Sequence, residues 1–328
     1  MSELADAEAS SHAASAAQAD AVAEPLALGP LEAVHAWQAI KRELSALLLE
    51  GQPDARWLET VEALMQRMRT LARRDFDAAL YLLLQDAAHG ELPYSAHHAM
   101  LCALVCEVCA DWFEWPAAEI DAVVRAALTM NLSMSALQDA LAQQDEPPSD
   151  EQRGQIAGHA QRSATMLAEA GLQDALCVEV VRRHHDMGDA GAAAAQRLAH
   201  LLRRVDQYTA KLSRRASRDA VSPAIAARDT CLDADGRPDT VGMAMLRKLG
   251  RYPPGSFVRL ANGDLGVVVR RGALAHTPIV AALRRDDGGA HLHPRRCDTA
   301  QRELAVVHGV TAEDVRVRLN HPRNLGLG

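Results

Sequence analysis

Apolar side chains recur at helical spacing from Leu31 onward: Leu31, Val34, Trp37 and Ile40, then Leu44, Leu47 and Leu48. Gly51-Gln-Pro53 interrupts the run. The period resumes at Trp57, Val61, Leu64 and Met65, and again at Phe76, Leu80, Leu83 and Leu84. Residues three and four apart share one face of a helix, so three successive helices are predicted. Gly90-Glu-Leu-Pro93 opens a second helical region. Helices are predicted from about Ser95 to Trp112, from Pro116 to about Met130, and around Ile156 and His159. Further helices are predicted at about Ala164–Ala170, Asp174–His185 and Ala193–Leu212. Glu146-Pro147-Pro148-Ser149-Asp150 supplies capping residues ahead of Ile156.

Residues Ala220–Thr240 are polar and turn-rich and read as a linker or exposed loop. After Tyr252-Pro-Pro-Gly255 the period switches to two. Phe257-Val-Arg-Leu-Ala and Asp264-Leu-Gly-Val-Val-Val269 flank Asn262-Gly263, which predicts a hairpin closed by a type I′ turn. Pro278–Leu283 adds a third strand, and Val310-Thr-Ala-Glu-Asp reads as the start of a short capped helix. The expected organisation is a disordered tail over residues 1–30, an N-terminal helical module over 31–90 and a helical domain over 91–219. A linker with a helix over 220–251 and a small β-meander with the C-terminal segment over 252–328 complete it. The fold class is mainly α.

Composition narrows the class. With 328 residues the chain exceeds one ordinary core. Its net charge of −8, without a long basic block, argues against DNA as a partner. No apolar run reaches membrane-spanning length, so a cytoplasmic protein with no membrane partner is expected. Cys102, Cys106 and Cys109 fall on one helical face and read as core packing, despite the CxxC formed by the last two.

The candidate chemistry lies in His98, His159, His184, His185 and Asp206, each within or beside a predicted helix of one bundle. Side chains converging on a bundle interior are how helical metal sites are built, and imidazole is the commonest protein metal ligand. The same residues are equally compatible with histidines hydrogen-bonded in a metal-free bundle. Arg203-Arg204, Arg214-Arg215 and Arg218 either meet phosphate or form a solvated helix face. Trp112, Phe113 and Trp115 read as helix-end packing, Gly188–Gly191 is too short for a phosphate loop, and His291-Leu-His293 reads as exposed turn.

The stretch from Tyr94 to Arg218, together with Tyr252-Pro-Pro-Gly-Ser-Phe-Val-Arg-Leu-Ala-Asn-Gly-Asp-Leu-Gly-Val-Val, resembles a divergent HD-GYP domain. That family is a branch of the HD phosphohydrolases whose characterised members cleave cyclic di-GMP at a bi- or trinuclear metal site. The resemblance implies an HD-domain-like bundle and a bacterial cytosolic setting. It places His98 at the family's first histidine, His159 after the capped turn, His184 and His185 at the paired histidines, and Asp206 at the final ligand. Arg215 and Arg218 take the places of basic residues near the substrate phosphates. The signature motifs are replaced: Met130-Asn131 stands for the HD dipeptide, Met134 for the following lysine, and Ala192-Ala193-Ala194 for GYP, with a shortened loop after it. Tyr94 stands where some members have an additional glutamate.

Two-metal hydrolysis needs an anionic bridge that holds both ions and positions a hydroxide. Asn131 offers a neutral carbonyl in its place, and Met130 is a poor ligand for hard divalent ions. The expectation is a degenerate, catalytically inactive signalling module that binds a cyclic dinucleotide, or a signalling protein through its N-terminal helices. The alternative is a metal-dependent phosphohydrolase with a rearranged mononuclear site, in which His159, His184 and His185, with Asn131 or water, hold one divalent transition metal ion.

Overall fold

The computed structural model describes residues 28–90, 92–186, 193–232 and 236–328. Three N-terminal helices, α1 (Pro30–Leu49), α2 (Ala55–Arg74) and α3 (Phe76–His89), follow the predicted periodicity. Pro30 at the first position starts α1 with its φ already helical, and Glu32 turns back to accept from Gly29 N at 3.0 Å. Asp54 and Asp75 cap α2 and α3 by accepting from Trp57 N and Ala78 N. Their apolar faces bury as expected, except that Leu31 is exposed and Phe76 is half-buried.

The central element is α4 (Tyr94–Trp112), buried on nearly every face from Tyr94 to Cys106. A helix apolar all round belongs inside a bundle, and α4 is wrapped accordingly. Around it lie α1, α3, α5 (Ala117–Thr129), α6 (Ser135–Ala142) and α9 (Ala194–Leu212). Beyond α5 and α9 sit α7 (Asp150–Glu169) and α8 (Ala175–Arg183). Helix α7 is one continuous element, where two were expected around Ile156 and Ala164. Its start carries a capping box between Ser149 and Gln152.

The described part of residues 220–240 holds more regular structure than its polar composition suggested. It contains α10 (Pro223–Thr230), which buries Ala226 and Thr230, and leads into α11 (Thr240–Leu249), capped by Asp239. The five strands among the described residues form one antiparallel sheet in the order β4-β3-β2-β1-β5. They are β1 (Phe257–Leu260), β2 (Leu265–Arg270), β3 (Ile279–Arg284), β4 (Ala290–Asp298) and β5 (Val306–Val310). Phe257 pairs with Val267, so the predicted β1–β2 hairpin forms. Its turn differs. Gly263 alone takes positive φ, at 87°, and its N–H donates to Leu260 O at 2.9 Å, giving a three-residue loop with glycine in the left-handed position instead of type I′. His291 and His293 lie on β4, not in a turn.

Alternate strand residues serve two cores. Phe257, Val267, Val269 and Ala281 join the helical core, whereas Val258, Val268, Val280 and Cys297 close over Tyr252 on the other face. Gly255, at φ 95°, lets the chain approach α3: an added Cβ would stand 2.9 Å from Tyr81 O, and Gln85 Nε2 donates to Gly255 O at 2.6 Å. Short helices α12 (Ala312–Val315) and α13 (His321–Leu325) follow, the first carrying the expected cap through Thr311 and Asp314. No helix of the described residues is long and apolar enough to cross a membrane. Residues 1–27, Gly188–Gly191 and Ala192, for which tail, loop and motif readings were made, lie outside the described residues.

Candidate metal centre

His159 projects from the middle of α7, while His184 and His185 follow the last turn of α8. His159 Nδ1 lies 2.6 Å from Ile156 O and His184 Nδ1 lies 2.6 Å from Val181 O. A carbonyl only accepts, so both Nδ1 atoms carry protons and both neutral rings present bare Nε2 lone pairs. His159 Nε2 stands 3.2 Å from His184 Nε2 and 3.2 Å from His185 Nε2. Three imidazoles on one tetrahedral zinc-like ion, each about 2.0–2.1 Å away, would place their nitrogens about 3.3 Å apart. The donor set therefore fits a single ion. His159 and His184 are buried and His185 is exposed, which leaves an open side for water or ligand.

A second cluster lies on the facing helices α4 and α9. His98 Nε2 is 2.9 Å from Asp206 Oδ1 and 3.6 Å from Cys102 Sγ, and Cys102 Sγ is 3.1 Å from Thr209 Oγ1. The packing stripe of cysteines thus contributes one member to the site. Its signal was the i, i+4 spacing from His98 to Cys102, which puts both side chains on one face of α4. Tyr94, one turn earlier, stacks on His98 with ring centroids 5.3 Å apart. Arg215 lies over the Tyr94 ring at 4.6 Å and donates to its hydroxyl at 2.5 Å. Arg218 points elsewhere, donating to Ala210 O, and is tied to Arg215 by a pair of backbone hydrogen bonds.

Electrostatics separates the two clusters. Burial, with the neighbouring His185 charge, pushes the His184 imidazole down to about 3, and burial also lowers His159. These rings stay neutral and ready to bind metal. Burial would likewise lower His98, but Cys102, Tyr94 and the Asp206 carboxylate hold it well above the usual histidine range. Burial would raise Asp206, but the hydrogen bond and charge of His98, with the charges of His184 and His185, bring it to about 2. His98 and Asp206 therefore form a charged pair across the α4–α9 interface.

Met130, at the end of α5, is buried in the core. The backbone carbonyl of the next residue, Asn131, accepts from Met134 N at 2.9 Å and Ser135 Oγ at 3.2 Å, closing a single 3₁₀ turn. That turn is fastened to α7, because Ser133 Oγ donates to His159 O at 3.0 Å and Ser133 N donates to Ser163 Oγ at 3.1 Å. The turn that follows Met130 thus lies directly against the helix of His159.

No family model matches this chain. No solved structure matches it either. A cyclic di-GMP phosphodiesterase of Pseudomonas aeruginosa is 29% identical over 201 residues, covering 59% of this chain and 48% of that relative. The chain therefore spans about half the length of the curated relative it matches. This distant similarity to a cyclic di-GMP phosphodiesterase supports an HD-GYP-like family for the chain.

Proposed function

We propose that this protein is an HD-GYP-like module of cyclic di-GMP signalling that binds one divalent transition metal ion and a cyclic dinucleotide without hydrolysing it by a two-metal route. The observation that carries the reading is the convergence of three imidazole Nε2 atoms, from His159, His184 and His185, at a spacing suited to one ion. A bound ion there would supply Lewis acidity, and His185 marks the side open to a ligand phosphate. Arg215, held against Tyr94, offers a planar cation for a second phosphate oxygen, with Arg218 beside it. Met130 and Asn131 supply no bridging carboxylate, and Asp206 is engaged with His98. The proposed setting is cytoplasmic. A protein partner is proposed for helices α1 to α3, where Leu31 and Leu49 stay exposed at the two ends of α1.

A second reading is a mononuclear phosphohydrolase. It is favoured by Asp206, whose carboxylate charge acts on both His159 and His184. Incubation of zinc- or manganese-loaded protein with cyclic di-GMP separates the two. The first reading expects calorimetric binding with the dinucleotide recovered intact. Steady conversion to a linear product would establish the second instead.

A further inference from the structure

We infer that Cys102 is a metal ligand, completing with His98 and Asp206 a second ligand set that selects a soft, zinc-like ion over manganese. The inference rests on the proposed metal-binding reading and extends it to a residue outside the imidazole triad. The three ligand atoms, His98 Nε2, Cys102 Sγ and an Asp206 carboxylate oxygen, all lie within 4.8 Å of one another. The 3.6 Å between Cys102 Sγ and His98 Nε2 matches the roughly 3.6 Å expected when zinc holds sulfur at about 2.3 Å and nitrogen at about 2.0–2.1 Å. The 2.9 Å His98–Asp206 pair must open by only a few tenths of an ångström, on the order of 0.4 Å, to admit the ion.

Charge favours the same conclusion. A Cys102 thiolate and the Asp206 carboxylate together neutralise a divalent ion, which matters where no carboxylate bridges to the imidazole triad. Ion entry releases the Cys102 thiol proton and the His98 Nε2 proton to solvent. Thr209 Oγ1, 3.1 Å from the sulfur, can turn its hydroxyl to donate to the thiolate once it forms. The other cysteines of the stripe lack this setting: neither Cys106 nor Cys109 belongs to a ligand cluster among the described residues. A thiolate suits zinc, cobalt and other soft or borderline ions, whereas manganese prefers oxygen donors.

The test is cobalt(II) titration of the full chain, read by absorbance. Wild-type protein should develop a near-ultraviolet thiolate-to-cobalt charge-transfer band that persists in Cys106→Ser and His159→Ala and disappears in Cys102→Ser, while Cys102→Ser keeps the weaker visible bands of cobalt on the imidazole triad. Cobalt uptake without the near-ultraviolet band, or a band that survives Cys102→Ser, overturns the inference and leaves the triad reading intact. Absence of any uptake by the wild type overturns both. X-ray absorption on zinc-loaded wild type needs no variant: a sulfur scatterer at about 2.3 Å supports the assignment, and a shell of nitrogen and oxygen alone refutes it.

Discussion

His159 and His184 face each other Nε2 to Nε2 at 3.2 Å, and each ring gives its Nδ1 proton to the carbonyl three residues behind it. Two bare lone pairs at that distance repel unless a cation lies between them. The tautomers are fixed by backbone in two different helices, so the fold itself aims the pair. His185 joins them from the solvent side, and the arrangement amounts to a socket for positive charge.

Zinc should therefore raise the thermal stability of the wild type, and His159→Ala should lose the share of that gain supplied by the imidazole triad, keeping only the share from the cluster that holds Cys102. At a free ion concentration a hundredfold above the dissociation constant, linkage supplies about 2.7 kcal/mol. Differential scanning fluorimetry with and without zinc checks this. An equal rise in Tm for His159→Ala would show that the stabilising ion sits elsewhere.

The acid side of the stability curve should report the same histidine. His184 titrates near 3 in the folded chain and near the ordinary value of about 6.5 when unfolded. Between those values the unfolded state binds more protons, so stability rises with pH and falls as pH drops from about 6.5 toward 3. One such group contributes at most about 1.4 kcal/mol per pH unit. Chelator-treated His184→Gln should show a flatter dependence of unfolding free energy across this window than the wild type, and an unchanged slope would refute the assignment.

The helices and the first three strands were legible in the sequence because their apolar spacing is strong: α1 to α5 and the β1–β2 hairpin follow it closely, though the turn between the strands takes one more residue than expected. Residues 220–240 were not, since α10 buries little more than Ala226 and Thr230 and carries no apolar stripe. The edge strand β4 hid for a related reason. Most of its residues, including Leu292 and His293, face solvent, so its polar composition looked like a turn. At the site, the histidines and Asp206 were found by residue type, but their division into a triad and a pair depends on packing between α4, α7, α8 and α9. Cys102 was masked by its own neighbours, because a cysteine stripe in a buried helix looks the same whether one member faces a ligand set or none does.

Breaking the α4–α9 charge pair should be costly. His98→Ala leaves Asp206 largely buried and uncompensated, a situation worth about 3–5 kcal/mol. Replacing both by alanine should cost less than the sum of His98→Ala and Asp206→Ala. Denaturant unfolding of the three chelator-treated variants checks the coupling, and simple additivity would remove the pair from the account.

Arg215→Ala should weaken cyclic di-GMP binding about 10- to 100-fold, the size of a lost hydrogen bond to a charged phosphate. Arg218→Ala should weaken it less, since its guanidinium is turned toward Ala210 O. Calorimetric titration at fixed salt measures both. Equal affinities for Arg215→Ala and the wild type would move the ligand away from the Tyr94 wall.

Electron paramagnetic resonance of manganese-loaded protein reads the nuclearity of the centre most directly, because a hard ion avoids the thiolate cluster and a carboxylate bridge would couple any neighbouring pair. On the proposed reading, in which Asn131 takes the place of a bridging carboxylate, the spectrum should be that of isolated, uncoupled Mn(II) bound through His159, His184 and His185. An exchange-coupled signal from two adjacent ions would contradict the account at its foundation.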